Sequence, residues 1–291
     1  MSLRSTSATT VGALLASLGK KDQADAIWLL CSMMDITRSD IILNPNRALD
    51  AAFLKDWART WKRRNAGEPL QYIVSSAPFY GREFRVKKGV LIPRPETEFL
   101  VELCLKAMPA KGQPRVLDIG TGSGAIALTL KLERPDWRVS GSDISTKAIQ
   151  IARENEAHFK AGVAFEKHDL FSSKLRAQEW DLVVSNPPYL NFSKDWVAPD
   201  VEAWEPKLAL EPLAGKEVAG LEERGAWCAD RILAGCADPK SRVKQTIMEL
   251  SPRVAQTLER RWKKHTRVSA LRREADLAGR KRFLLVAWKD A

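Results

Sequence analysis

Four consecutive residues, Asn186-Pro187-Pro188-Tyr189, carry the sharpest chemical signal in the chain. They follow the apolar run Asp181–Ser185, which has the composition of a central strand buried on both faces. Two consecutive prolines fix the backbone where it leaves such a strand and remove N–H donors. The Asn186 side-chain oxygen and the Pro187 carbonyl can then both accept from one NH2 group, while Tyr189 packs on its planar face. An amide or amino nitrogen is a poor nucleophile because its lone pair is delocalised. Two acceptors holding both hydrogens favour pyramidalisation and aim the lone pair at an electrophilic methyl group. Such catalysis is positioning and electrostatics, without a strong base before transfer. A proline-rich structural turn is the competing explanation for the same four residues.

A second cluster, Asp118-Ile119-Gly120-Thr121-Gly122-Ser123-Gly124, closes an apolar strand and opens a helix. Glycines let the backbone turn sharply and approach a ligand, and the helix start offers free N–H groups. The spacing is neither a Walker loop nor the dinucleotide GxGxxG. A tight turn with no ligand is the alternative. Asp143 stands about one strand–helix–strand step further on, where a carboxylate can accept both hydroxyls of a ribose. It or Ser145 could instead cap the next helix. Asp169 and Leu170 fall after the third strand, where an adenine ring would lie. Leu170 can cover its face, and Asp169 is in reach of its exocyclic amine.

Other candidates are less telling. Glu96 and Glu98 could line a substrate channel or answer a helix dipole. His158, His168 and His265 stand alone and are expected on the surface or in packing. Tyr72 and Trp204 are expected to pack. Cys31, Cys104, Cys228 and Cys236 are scattered, with no CxxC pair and no nearby His cluster. They are expected as buried thiols in a reducing compartment, with no disulfide and no metal site.

The elements that must position these residues follow from periodicity. Residues 8–66 carry apolar stripes of helical spacing at Leu14, Leu15, Leu18 and then Ala26 to Met34. Asp22 is placed to cap the second helix, and Pro45 to break the chain before a third helix over Arg47–Arg64. Gln71–Ser75 and Glu83–Lys87 alternate apolar and polar residues around Pro78, Tyr80 and Gly81, which predicts a strand pair. A helix is expected after Pro95. From Arg115 onward, strands at Val116–Ile119, Trp137–Ser142, Val163–Lys167, Asp181–Ser185, Val243–Glu249 and Arg282–Trp288 alternate with helices. The expected fold is α/β: a Rossmann-like, doubly wound sheet with its site at the carboxyl ends of the strands. The expected domains are a helical one over 1–69, a β-hairpin linker over 70–92 and an α/β domain over 93–291. Leu190–Gly220, with three prolines, is expected as a non-regular functional flap.

With 291 residues, 45% of them hydrophobic, the chain can bury a large core, and it has no run long and apolar enough to span a bilayer. Its start lacks the pattern of a secretory leader, so a cytoplasmic location is expected. A net charge of +11 suits nucleic acid, an acidic protein or an RNA-rich assembly, and does not choose among them. Basic residues cluster at Arg260, Arg261, Lys263, Lys264, Arg272, Arg273, Arg280, Lys281 and Arg282, without interleaved aromatics.

Beyond these motifs, the chain contains Arg63–Ile73 (RRNAGEPLQYI), Val90–Glu98 (VLIPRPETE), Trp204-Glu205-Pro206 and Asp276–Arg282 (DLAGRKR). With them it resembles, over nearly its whole length, the HemK/PrmC family of release factor glutamine methyltransferases. The resemblance implies a class I methyltransferase fold, S-adenosyl-L-methionine as cofactor, and a helical N-terminal domain that docks the substrate. The implied reaction methylates the glutamine of the Gly-Gly-Gln motif in class 1 peptide chain release factors, and a monomer is expected. It implies cofactor contacts from Gly120, Thr121, Gly122, Ser123, Gly124, Asp143, Leu170 and Asn186, to which the residue reading adds Asp118 and Asp169. Asn186, Pro187, Pro188 and Tyr189 would hold the glutamine. The chain departs from the family where a glycine is usual between Tyr72 and Phe79, after Pro206 at Ala209–Pro212, and at Leu170, where an aromatic is common. These departures bear on substrate docking. The alternatives are glutamine methylation of a ribosomal protein and amino-group methylation of nucleic acid.

Overall fold

A computed structural model of the chain describes residues 9–170, 172–212 and 221–290. The chain divides into two units, Met1–Ser75 and Ser76–Ala291. In the first, strand β1 (Thr9–Thr10) leads into helices α1 (Val11–Ala16), α2 (Gln23–Met34) and α3 (Arg38–Leu43). Strand β2 (Ala48–Leu49) and helices α4 (Ala51–Asn65) and α5 (Leu70–Val74) follow. Local chemistry sets the helix starts. Asp50 accepts from the Phe53 amide at 2.7 Å, and Thr37 and Asp40 form a reciprocal capping box that opens α3. Asp22 precedes α2 but makes no side-chain cap bond. The third helix begins at Ala51 rather than Arg47, because Ala48 and Leu49 pair with β1. Leu29, Leu30, Ile41 and Trp57 are buried at the centre of this unit, and Trp57 stacks on Trp61 at 5.3 Å.

Gln71–Ser75, expected as a strand, is helical up to Val74. The Pro69 carbonyl accepts from the amides of Tyr72 and Ile73, and Leu70, Ile73 and Val74 all pack into the helical core. Their i, i+3, i+4 spacing is a helix face. Alternation over so few residues fits both periods, and the burial partner decides. Ser75 ends the helix with φ 60, a left-handed conformation that favours glycine.

The second unit opens on a hairpin, β3 (Ser76–Phe79) and β4 (Arg82–Arg85). Its two turn residues, Tyr80 and Gly81, have φ of 51 and 71, as a two-residue turn of the right twist demands. Pro78, expected in the turn, lies inside β3. Then come α6 (Pro95–Ala107), β5 (Arg115–Ile119), α7 (Ala125–Glu133), β6 (Arg138–Asp143), α8 (Thr146–Phe159) and β7 (Ala164–Lys167). After these follow α9 (Ser173–Arg176), β8 (Glu179–Ser185), α10 (Pro199–Trp204), α11 (Lys207–Leu210) and α12 (Leu221–Ala237). The unit ends with β9 (Arg242–Glu249), α13 (Pro252–Trp262), β10 (Val268–Glu274) and β11 (Phe283–Trp288).

Seven strands form one sheet in the order β10-β11-β9-β8-β5-β6-β7. The five from β9 to β7 are parallel, while β11 runs antiparallel to both β9 and β10. β10 is missing from the expected strands because its residues sit on an edge, intermediate or exposed, and carry no burial alternation. Helices α6, α7 and α8 cover one face, and α12 and α13 the other. Strand order reverses between β5 and β8, which opens a crevice beyond their carboxyl ends. The flap is more regular than expected: α10 and α11 lie in it, and residues 213–220 fall outside the described residues. Among the described residues no helix is long and apolar enough to cross a membrane.

Candidate active site

The glycine loop leaves β5 with Gly120, Gly122 and Gly124 at φ of 73, 57 and 82. The amides of Gly120 and Thr121 both donate to the Ser142 carbonyl, at 2.8 and 2.9 Å, which pins the turn to β6. A Cβ added at Gly120 or Gly122 would meet nothing within 4 Å, and both residues line a cavity of about 270 Å3. Gly124 differs. A Cβ there would stand 3.0 Å from the Phe165 ring and 3.1 Å from Leu128, so this glycine serves helix packing.

Asp118, Thr121, Ser123 and Gly124, expected as cofactor contacts, do not line the cavity. They brace the loop from behind. The Thr121 hydroxyl donates to Asp118 at 2.6 Å, and the Ser123 carbonyl accepts from Asn155 at 2.8 Å. Asp118 is fully buried. Burial pushes its carboxyl up to about 7, against hydrogen bonds from Thr121 and the Ala127 amide and with the Asp143 charge adding to the rise.

Asp143 ends β6 and faces the cavity. Its Oδ2 accepts from the Gly122 amide at 3.0 Å and its Oδ1 from the Ser145 amide at 2.8 Å. The helix cap falls to Ser145, whose hydroxyl accepts from Ala148. Burial raises the Asp143 carboxyl, and the amides of Ser145, Gly122 and Ile144 oppose it. Asp169 and Leu170 line the same cavity, as does His168, which was expected only in packing or on the surface. Gly89, Val90 and Leu91 before α6, Trp227 and Cys228 of α12, and Pro206, Leu208 and Ala209 of the flap complete the wall. Nothing in their types announces them. The stretches VLIPRPETE and Trp204-Glu205-Pro206 flag two of these segments.

Asn186 lines this cavity together with Pro188. It also lines a second one of about 110 Å3, with Pro187, Tyr189, Leu190 and Arg94. Asn186 therefore stands where the two spaces meet. Its Nδ2 donates to the Thr97 hydroxyl at 3.1 Å, which leaves Oδ1 as the acceptor on offer. Burial, and then the Glu249 charge, holds the Tyr189 phenol well above its usual range, so it stays neutral. The flap is anchored beside this space: buried Glu205 accepts from the Ile92 amide and from Arg94, and Asp195 accepts from Arg253. Glu98 accepts from the Tyr80 amide at 2.8 Å, a structural use. In the basic cluster, Arg261 pairs with Asp230, Arg272 with Glu274, Arg273 with Glu259, and Arg280 and Arg282 with Asp276.

Residues 11–74 match the PrmC N-terminal domain, and residues 96–198 the methyltransferase small domain. The release factor glutamine methyltransferase of Neisseria gonorrhoeae is 41% identical over 194 residues, covering 66% of this chain and 70% of that one. That of Leptospira interrogans is 32% identical over 272 residues, covering 90% of each. Among solved structures, a methyltransferase from Pyrococcus furiosus matches with a TM-score of 0.52 at 15% identity, covering 82% of this chain and 100% of that one, a likeness of fold alone.

Proposed function

This chain belongs to the HemK/PrmC family of release factor glutamine methyltransferases, and we propose from that premise what its site does. It transfers a methyl group from S-adenosylmethionine to the side-chain amide nitrogen of a glutamine. That glutamine is the one in the Gly-Gly-Gln motif of class 1 peptide chain release factors. The observation that carries this reading is the position of Asn186, which borders both a larger and a smaller cavity.

The larger cavity fits the cofactor. Gly120 and Gly122 leave open space at its floor, and Asp143 offers a half-buried carboxylate to two hydroxyls. Leu170 covers an aromatic ring, and Asp169 takes its amine. Bound there, S-adenosylmethionine supplies an electrophilic methyl group. In the smaller cavity, Asn186 Oδ1 and the Pro187 carbonyl accept the two hydrogens of the glutamine amide, while Tyr189 packs on its plane. Pro188 keeps the backbone from swinging. Held this way, the nitrogen needs no base before transfer and sheds one proton afterwards. The helical unit Met1–Ser75 docks the release factor, and the protein works as a monomer in the cytoplasm.

The test is a transfer assay with labelled S-adenosylmethionine, offering release factor with its native Gly-Gly-Gln and with Gln→Ala. Label on the first and none on the second is expected. Label on neither, with cofactor still bound, overturns the target and points to a ribosomal protein or a nucleic-acid amino group.

A further inference from the structure

Helix α12 reads Gly225-Ala226-Trp227-Cys228-Ala229 where it borders the larger cavity, so the indole is the one large side chain among small ones. Ala226, Cys228 and Ala229 are buried, whereas Trp227 is half-buried. Trp57, Trp137 and Trp180 pack inside the three apolar clusters, but among the described residues Trp227 belongs to none of them. Its place is in the cavity wall, together with Cys228, Asp169 and Leu170. Leu170 in turn packs against the cluster that contains Ala226 and Ala229, so the segment after β7 and the start of α12 meet on one side of the cavity.

Arg231, one turn further along α12, lays its guanidinium over the indole at 5.0 Å from the ring centroid. Positions i and i+4 of a helix share a face, and a guanidinium is attracted to an aromatic ring. The cation therefore takes one face of the ring and fixes its orientation before any ligand arrives. The other face is left for a flat partner. A half-buried indole outside every core still has apolar surface in water, and covering that surface is favourable.

We propose that Trp227 is the aromatic platform for the purine of S-adenosylmethionine, and so a cofactor-binding residue of this chain. This rests on the reading of the larger cavity as the cofactor site. In that reading the ribose meets Asp143 and the exocyclic amine meets Asp169, which puts the purine beside Leu170. Ile144 and Leu170 line the cavity there, and both are aliphatic. Trp227, on the same stretch of wall as Asp169 and Leu170, adds the π face that they lack. The two kinds of contact divide the work. Stacking on an aromatic ring tolerates any base, so Trp227 contributes affinity, and Asp169 selects the amino-substituted purine.

The test uses the full-length protein, S-adenosylhomocysteine and no methyl acceptor. Calorimetry on Trp227→Phe, Trp227→Leu and Trp227→Ala separates a stacking ring from plain apolar cover. Trp227→Phe is expected to bind within about threefold of the wild type, and the Leu and Ala variants roughly 5- to 150-fold more weakly. The thermal midpoint of the unliganded protein should change little, because Trp227 lies outside the cores. Ligand binding should also quench tryptophan emission, and Trp227→Phe should lose most of that quench. A Leu variant that binds as tightly as the Phe variant, or a full quench in Trp227→Phe, overturns the platform. Affinity that falls only in step with the thermal midpoint also overturns it, by assigning Trp227 to the fold. If the wild type binds no S-adenosylhomocysteine, the cofactor reading of the cavity fails and the platform with it. Tight binding by the wild type and by all three variants refutes the platform alone.

Discussion

Arg94 and Glu205 are separated by 111 residues in sequence and by 2.5 Å in space. The Glu205 side chain is 1% exposed, and it also accepts from the Ile92 amide. One ion pair thus fastens the start of α6 to the flap where both border the smaller cavity. Removing one partner of a buried pair strands the other, at a cost of about 3 kcal/mol or more. Arg94→Met is expected to loosen the flap by about that amount. Hydrogen exchange at the Leu190 amide, which is bonded to the Leu210 carbonyl, reports it. Wild-type exchange at Leu190 together with unchanged global stability contradicts the assignment.

Asn186 is the acceptor that the reaction most needs. Asn186→Ala is expected to lower the transfer rate by roughly 100- to 1,000-fold, the usual effect of removing one preorganised polar group from a transition state. Cofactor affinity, measured by calorimetry, should change far less. Equal losses in affinity and rate would assign Asn186 to binding rather than to the chemistry.

Gly225 of α12 supports Tyr189 from behind. A Cβ there would lie 2.7 Å from the Tyr189 carbonyl oxygen and 3.2 Å from Val254 Cγ2. Gly225→Ala is therefore expected to displace the Tyr189 backbone, costing about 1–3 kcal/mol in urea unfolding and raising KM for release factor. A fully wild-type KM would show that the site tolerates this shift.

Asp118 makes stability depend on pH in an unusual direction. Its carboxyl is raised from 3.8 to about 7 in the folded protein. Between those values the folded state holds a proton that the unfolded state releases, so stability falls as pH rises and levels off above the folded value. Between pH 5 and pH 8 the loss from this group approaches roughly 3 kcal/mol, and Glu249, whose carboxyl is likewise raised by burial, adds in the same direction at the acid end. Asp118→Asn should flatten the slope in urea unfolding at the two pH values. A slope as steep as the wild type's would mean that another group titrates.

Ser75 occupies the left-handed conformation, at φ 60, in the stretch where the family usually has a glycine. It is exposed and ends α5. Ser75→Gly is expected to stabilise the first unit by about 1 kcal/mol, since a side chain is strained there and glycine is not. Chemical denaturation checks it, and a loss of stability would show that the added freedom of the unfolded chain outweighs the strain relieved.

Much of this protein is legible in its residues because the relevant physics is local. The run from Val116 through Gly124 must turn tightly after a buried strand, and Asn186–Tyr189 must leave another at a fixed angle. Alternating strands and helices then set the α/β layering, and the strand ends gather Gly120, Asp143, Leu170 and Asn186 around one cavity. Where two periods fit equally well, sequence cannot choose. Gln71–Val74 is helical because Leu70, Ile73 and Val74 find a hydrophobic partner on one side. β10 went unforeseen because an exposed edge strand carries no burial pattern. Motif membership also does not say which way a side chain points. Asp118 and Thr121 turn toward each other behind the loop, while Gly122, the next residue, faces the cavity. The pairings Arg94 with Glu205, and Thr97 with Asn186, join segments far apart in sequence. No local propensity encodes such contacts. They exist because sheet order and helix packing bring strand ends and helix starts to the same edge, and only the folded chain establishes that order.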